Sequence, residues 1–266
     1  MADDNDYSGW IGRTETLRDI VVPGPLDRLA VTLDRDDPPF RSGDPVPPCW
    51  HWLFFLPQAP QSALGPDGHP RRGGFLPPIH DLPRRMWAGS RITFRGDLRV
   101  GQDIVRRSTV ASIKPKQGAS GPLVFVTVRH EIGEADGATA IIDEHDIVYR
   151  PLEQPTGKRP TEPAPRGEWQ RSLFADPALL FRYSALTFNG HRIHYDRPYA
   201  TEEEGYPGLV VHGPLVATLL VDLVRRTLPE AGIAEFSFTA VSPLFDGQTL
   251  TLNGDPPGAD GVVRLW

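Results

Sequence analysis

The stretch GPLVATLLVDLVRRTL, residues 213–228, decides the architecture. Pro214 stands in the first turn, where its missing N–H costs nothing, and Pro229 lies just past the end, so the segment reads as a helix. Thr218, Asp222 and the Arg225/Arg226 pair form one narrow polar stripe, and every other face is aliphatic. A helix apolar on most sides must be wrapped by other elements. The strand-like segments 235–240 and 248–253 follow at once and are the expected wrapping.

Working outward, the period changes from helical to two in the first half. Arg91–Phe94, Asp103–Ile113, Leu123–Glu131 and Ala140–Tyr149 alternate or run apolar, with turns at Gly101, Gly118–Gly121 and Gly137, which predicts an antiparallel sheet. Residues 25–33 predict a short amphipathic helix with Leu26, Leu29, Ala30 and Leu33 on one face, Pro25 being at its start. Trp50–Leu56 reads as a buried strand. Twelve of the 29 prolines fall between Pro38 and Pro83, so no helix longer than two turns is expected in 57–83. Five more lie in 151–169, which reads as a linker. The expected organisation is a unit over 1–150, the linker, and a second unit over 170–266.

An internal repeat connects the halves. At an offset of 146, Ile92, Leu98, Gly101, Gln102 and Ile104 fall on Phe238, Leu244, Gly247, Gln248 and Leu250. Beyond the shared Gly-Gln turn the first copy runs 49 residues to Arg150 and the second only 19 to Trp266. The second sheet is therefore expected to be one strand short at its C-terminal side, with a longer native chain or a neighbouring chain completing it. No counterpart of the 213–228 helix fits the first copy, since seven prolines lie between Leu53 and Ala88. That copy is expected to leave a groove in place of the helix.

Composition narrows the function. The formal net charge of −6 argues against a nucleic-acid partner. Cys49 is the lone cysteine, which excludes an intrachain disulfide and suits a reducing, cytoplasmic setting. Met1–Trp10 has no apolar leader, and the most apolar run, Leu209–Val224, is too short to span a bilayer, so no membrane partner is expected.

The densest cluster of polar, titratable groups is YSALTFNGHRIHYDRPYATEEEGYPGLVVHG, Tyr183–Gly213. It resembles the signature of MaoC-type enoyl-thioester hydratases and of the 3-hydroxyacyl-thioester dehydratases that carry FNxHRIHYD. Within that group it is most similar to itaconyl-CoA and mesaconyl-C4-CoA hydratases. RRMWAG (Arg84–Gly89) and IVYR (Ile147–Arg150) share the resemblance, which thus extends over most of the chain. It implies an α+β double hotdog, with antiparallel sheets wrapped around a long helix present only in the second half. It also implies a hydro-lyase acting on a short, branched, dicarboxylic enoyl-CoA. Coenzyme A enters as part of the substrate and no further cofactor is implied.

In that family an Asp and a His five residues apart hold the attacking water; the matching positions here are Asn189 and His194. An amide cannot serve as a general base, though it can orient a water. His194 is the expected base, since imidazole titrates near neutrality. The amide of Gly213, at the helix N-terminus, is the expected donor to the developing thioester oxyanion. Arg192, His191, Tyr195, His212, Arg84, Arg85 and Trp87 are candidates for substrate binding, with Lys114, Lys116, Arg84 and Arg85 candidates for its phosphates or a terminal carboxylate. His191, His194 and His212 have spacing that a zinc site would allow, but Arg192 opposes a cation and the resemblance implies no metal. Asp196 is expected to brace the turn or pair with an arginine, and Glu202–Glu204 to be a solvated face. Two other readings stand beside the hydratase. One is a 3-hydroxyacyl-ACP or -CoA dehydratase of fatty-acid or polyketide synthesis, and the other a thioester-binding module without catalysis. A homodimer is compatible with all three. The most capacious pocket is expected beside His194 and the start of the helix.

Overall fold

The computed structural model describes residues 7–118, 121–151 and 164–266. Most of the expected linker, residues 152–163, lies outside them. The described residues form two compact units, the first drawn from 7–21, 70–151 and 234–241 and the second from 22–69, 164–233 and 242–266. This corrects the expected boundaries, because each half of the sequence contributes to both units.

The first unit is a six-stranded antiparallel sheet. Its strands are β1 (Thr14–Ile20), β2 (Arg84–Phe94), β3 (Asp103–Gly118), β4 (Gly121–Glu134), β5 (Thr139–Arg150) and β7 (Glu235–Thr239), in the order β1-β3-β4-β5-β2-β7. The four strands expected from alternation are all present. Their inward residues Val110, Val124, Val126, Val128 and Tyr149 pack with Ile79 and Leu82 into one core cluster. The membership of β7 was not expected. Gly89 is what admits it: a Cβ there would sit 2.1 Å from the Phe238 carbonyl oxygen, and beside it Trp87 stacks on Phe238 at 5.2 Å.

The second unit holds β6 (Trp169–Phe174) paired with β8 (Thr249–Gly254), and the helices α1 (Pro23–Thr32), α2 (Pro177–Thr187) and α3 (Gly213–Thr227). Both short helices begin at a proline, and α2 adds an N-cap in which Asp176 accepts from the Leu179 amide at 2.7 Å. α3 is the longest and buries residues on every side, from Leu215 and Ala217 to Leu223 and Val224. Its strand neighbours are β6 and β8; the expected wrapping by 235–240 is corrected, since that strand joins the other sheet. Trp50–Leu53 is a 3-10 helix rather than a strand, because Cys49 and Phe55 take left-handed φ values of 69° and 57° and break an extended run. Among the described residues of 57–83 the only helical turn is Gln61–Ala63.

The repeat is visible in the backbone. At the first copy the Gly101 amide donates to Val21 O (2.8 Å) and the Val21 amide to Gln102 O (3.0 Å). At the second, the Gly247 amide donates to Ala175 O (2.8 Å) and the Ala175 amide to Gln248 O (3.0 Å). Gly101 and Gly247 both have positive φ, at 95° and 73°. The match thus includes a strand and helix upstream of each turn, β1–α1 and β6–α2, that the sequence offset alone did not reveal. Among the described residues the second sheet has two strands against six, with a single further bridge between Gly254 and Leu265.

The polar stripe on α3 is a buried ionic cluster. Asp222, whose side chain has no exposed surface, accepts from Arg35 (2.6 Å), Arg171 (2.9 Å) and Arg226 (2.7 Å). Arg171 and Arg226 also donate to the carbonyl of Leu33, at the end of α1. One carboxylate therefore ties α1, β6 and α3 together.

Candidate active site

The residues after α2 are folded by local chemistry into a platform for imidazoles. Phe188 closes the helix in a left-handed conformation (φ 49°), and the Asn189 amide returns to Ser184 O at 2.8 Å. The Asn189 side-chain oxygen then accepts from the His191 amide at 3.0 Å. This starts the 3-10 turn Arg192–His194, with Ile193 and His194 buried. Arg192 clamps the turn from outside, donating to Asp196 at 2.8 and 2.9 Å and lying over the Tyr199 ring at 4.1 Å. The Tyr195 hydroxyl donates to Gly190 O at 3.0 Å.

His194 sits 2.7 Å through Nδ1 from Val210 O. A carbonyl can only accept, so Nδ1 carries the hydrogen and Nε2 is left as the basic lone pair. No protein group bonds Nε2 among the described residues. The ring stacks on His212 at 3.7 Å and 19°, and His212 Nε2 lies 2.8 Å from Ser184 Oγ. Burial is the main cause that pushes His194 down to about 4 and His212 well below the usual histidine range. At neutral pH both rings are uncharged. His212 directly precedes α3, so the Gly213 amide opens the helix beside this pair, without an intrahelical acceptor.

The structure thus gathers Asn189, His191, Arg192, His194, Tyr195, His212 and Gly213 around one turn and one helix start. Asp196 braces the turn through Arg192, as expected. Arg84, Arg85 and Trp87 belong to β2 of the first unit, where Arg84 is buried and Trp87 is committed to its stack on Phe238. Lys114 and Lys116 lie on β3 of that unit.

The site includes two residues that sequence reasoning passed over. Asp67 and His69, in the proline-rich loop, extend the row of rings. His69 lies 4.1 Å from His191, and His191 lies 5.4 Å from His194. The loop is pinned to the turn, because the Arg192 amide donates to Asp67 O (2.9 Å) and its guanidinium to Pro66 O (2.8 Å). Two glycine backbones meet there. A Cβ on Gly68 (φ 85°) would be 1.9 Å from Gly190 O, and one on Gly190 would be 2.9 Å from Gly68 O. The signal in the sequence was DGH, a turn glycine flanked by a carboxylate and an imidazole.

Asp67, His69 and His191 present donor atoms within 4.8 Å of one another, a spacing that would also admit a cation. The 3.1 Å contact between Asp67 Oδ2 and His69 Nδ1 is already a hydrogen bond, and Arg192 adjoins the group. We read it as a carboxylate–imidazole pair. Burial opposes the charge on Asp67, but the hydrogen bond and charge of His69 outweigh it and hold the carboxyl at about 2.

One cavity of about 600 Å³ is lined by Thr32–Asp34, Arg171–Phe174 and Arg226, and His194 and Gly213 are not among its lining residues.

Residues 49–246 match the model of the hydroxyacyl-thioester dehydratase type 2 family. The chain belongs to that family. It is 50% identical, over 98% of its length and 96% of the relative's, to a mesaconyl-C(4)-CoA hydratase of Chloroflexus aurantiacus. It is 27% identical, over 89% of its length and 88% of the relative's, to the mitochondrial hydroxyacyl-thioester dehydratase type 2 of Schizosaccharomyces pombe. Among solved structures, a MaoC-like dehydratase matches with a TM-score of 0.70 at 13% identity, over 97% of this chain and 93% of that one. A Mycobacterium tuberculosis protein described as having a double hotdog fold matches with a TM-score of 0.58 at 15% identity, over 94% and 86%. The double hotdog expected from the sequence is thus the fold of the chain. No helix among the described residues is long and apolar enough to cross a membrane.

Proposed function

We propose that this chain catalyses the reversible addition of water to a branched, dicarboxylic enoyl-CoA of the mesaconyl-C4-CoA type, with His194 as general base. The observation that carries the reading is the state of His194: neutral, buried, and held through Nδ1 so that only Nε2 can take a proton. In hydration, the water oxygen bonds to the β-carbon while its proton passes to Nε2. The π electrons move to the α-carbon and the thioester carbonyl, whose oxygen gains charge. The Gly213 amide and the N-terminal end of α3 are suited to stabilise it. Asn189 acts by holding the turn, since its oxygen is spent on the His191 amide. Arg192, His191, Tyr195 and His212 remain the proposed substrate contacts. Coenzyme A is carried by the substrate, with no other cofactor in the scheme, and the single cysteine suits a cytoplasmic enzyme.

The choice of acyl group rests on the 50% identity to the Chloroflexus hydratase. The test compares kcat/KM for mesaconyl-C4-CoA, itaconyl-CoA, crotonyl-CoA and a crotonyl carrier protein, followed at the enoyl-thioester absorbance. A preference of at least tenfold for a dicarboxylic CoA is expected. A preference for the crotonyl carrier protein would place the chain with the fatty-acid dehydratases, and binding without turnover would make it a non-catalytic module.

A further inference from the structure

Hydration needs a second proton event. The β-carbon receives hydroxide from water, and the α-carbon must receive a proton. His194 enters the reaction neutral, so the one proton it could pass on is the proton it has just taken from the water. Asn189, at the family's carboxylate position, is not an acid that could replace it. The neighbouring loop offers a second imidazole for the task. We propose that Asp67 and His69 form the second acid–base pair of this site, with His69 delivering the proton to the α-carbon and Asp67 fixing its ring. The proposal rests on the hydratase reading above.

Three features of the geometry support it. The pair is oriented: Asp67 Oδ2 is 3.1 Å from His69 Nδ1, and the His69 amide also donates to Asp67 Oδ1 at 3.1 Å. An ionised carboxylate on Nδ1 stabilises the imidazolium and leaves Nε2 as the atom that exchanges. The pair is held rigidly, since Gly68 permits the backbone of the loop to touch Gly190 and Arg192 ties the loop twice. It also differs in environment from His194. One histidine stands beside a carboxylate and the other is buried against a carbonyl, and two titratable groups pushed apart in this way can serve as acid and base.

The balance is complete. The scheme starts with the proton on His69 and with His194 neutral. The C–O bond forms at the β-carbon, the π bond breaks, the water proton goes to His194 Nε2, and the His69 Nε2 proton goes to the α-carbon. The site resets when one proton moves from His194 to His69, along the His191 ring that adjoins both or through solvent. Dehydration is the reverse, with neutral His69 removing the α-proton.

Among the described residues, the groups around His69 include Asp67, His191, His194, Arg192 and, across Asp67, Tyr199. The experiment uses the full-length protein and its His69→Gln and Asp67→Asn variants, with circular dichroism and melting temperature confirming the fold. His69→Gln should lower kcat at least a hundredfold with KM within about threefold, and Asp67→Asn should lower it about tenfold or more. Without its carboxylate the His69 imidazolium is less stable, so in Asp67→Asn the alkaline limb of kcat should move to lower pH. Nitrogen-15 NMR of the imidazoles reads the same change without substrate, through a lowered protonation midpoint of His69. Retention of more than a third of kcat in His69→Gln would overturn the proposal, as would a loss confined to KM. Stoichiometric zinc with inactivation by a chelator would overturn it too, by assigning the group to an ion. If the wild type hydrates no enoyl thioester, the hydratase reading fails, and an unchanged His69 midpoint in Asp67→Asn then sinks the pair independently.

Discussion

The two copies of the repeat open alike and then part company. Each begins with a strand, a residue hydrogen-bonded to the Gly-Gln turn, and a helix starting at proline: β1, Val21 and α1 in one, β6, Ala175 and α2 in the other. After α2 the chain makes a compact turn bearing histidines and enters α3. After α1 it makes an irregular, proline-rich stretch whose segment Pro66–Gly68 packs against that same turn. The difference shows how a duplicated fold can divide its labour. One copy carries the wrapped helix and a buried imidazole, His194, while the other has a loop bearing Asp67 and His69 in the corresponding stretch.

The largest effect expected from breaking this division is at His194. His194→Ala should lower turnover at least about a hundredfold, measured by steady-state hydration. Activity above half of wild type would show that the second copy does not hold the base. Asn189→Asp keeps the acceptor for the His191 amide and should fold normally, whereas Asn189→Ala loses about 1 kcal/mol of turn stability in urea unfolding.

The second copy should also depend on its ionic cluster. Asp222→Ala leaves Arg35, Arg171 and Arg226 without their shared carboxylate and should cost about 3–5 kcal/mol. A loss below about 1 kcal/mol in denaturant titration would mean that the apolar faces of α3 alone hold that copy.

Acid should act through the buried imidazoles. The folded protein keeps His194 neutral down to about pH 4, whereas the unfolded chain protonates it near 6.5. The unfolded state binds more protons between those values, so stability is complete above about pH 6.5 and falls toward 4, by up to about 3 kcal/mol from His194. Urea midpoints at pH 7.5, 5.5 and 4.5 check the slope, which His194→Gln should flatten.

The smallest effects separate shared from acquired structure. Gly247→Ala meets nothing within 4 Å and bears only the left-handed strain, about 1 kcal/mol, and Gly101→Ala should bear a similar strain. Gly68→Ala must also push its loop off Gly190 and should cost at least about 2 kcal/mol, with a clear drop in kcat. Equal costs at all three positions in thermal unfolding would mean that the loop contact contributes little.

Much of this was legible because it depends on local pattern. Alternation marks β3, β4 and β5, the prolines flanking α3 mark its limits, and the motif around His194 carries its own turn chemistry. The illegible parts were set at a distance. Nothing near Glu235–Thr239 tells that its partner is β2, since that depends on a glycine at 89. Asp67 and His69 lie more than a hundred residues before His191, in a loop whose prolines said only that it was not helical. Trp50–Leu56 failed for another reason: an apolar run is equally a buried strand or a buried turn until the φ values of Cys49 and Phe55 are known.

The place of β7 has a consequence for how the protein is born. The six-stranded sheet begins with residues made early, yet its last strand, Glu235–Thr239, leaves the ribosome only after the other five strands and more than eighty further residues. Until then the outer edge of β2 has no partner, although synthesis proceeds at only about 5–20 residues per second. The emerging chain therefore holds an open sheet edge for several seconds, and a ribosome stalled before residue 235 would present that edge to its neighbours.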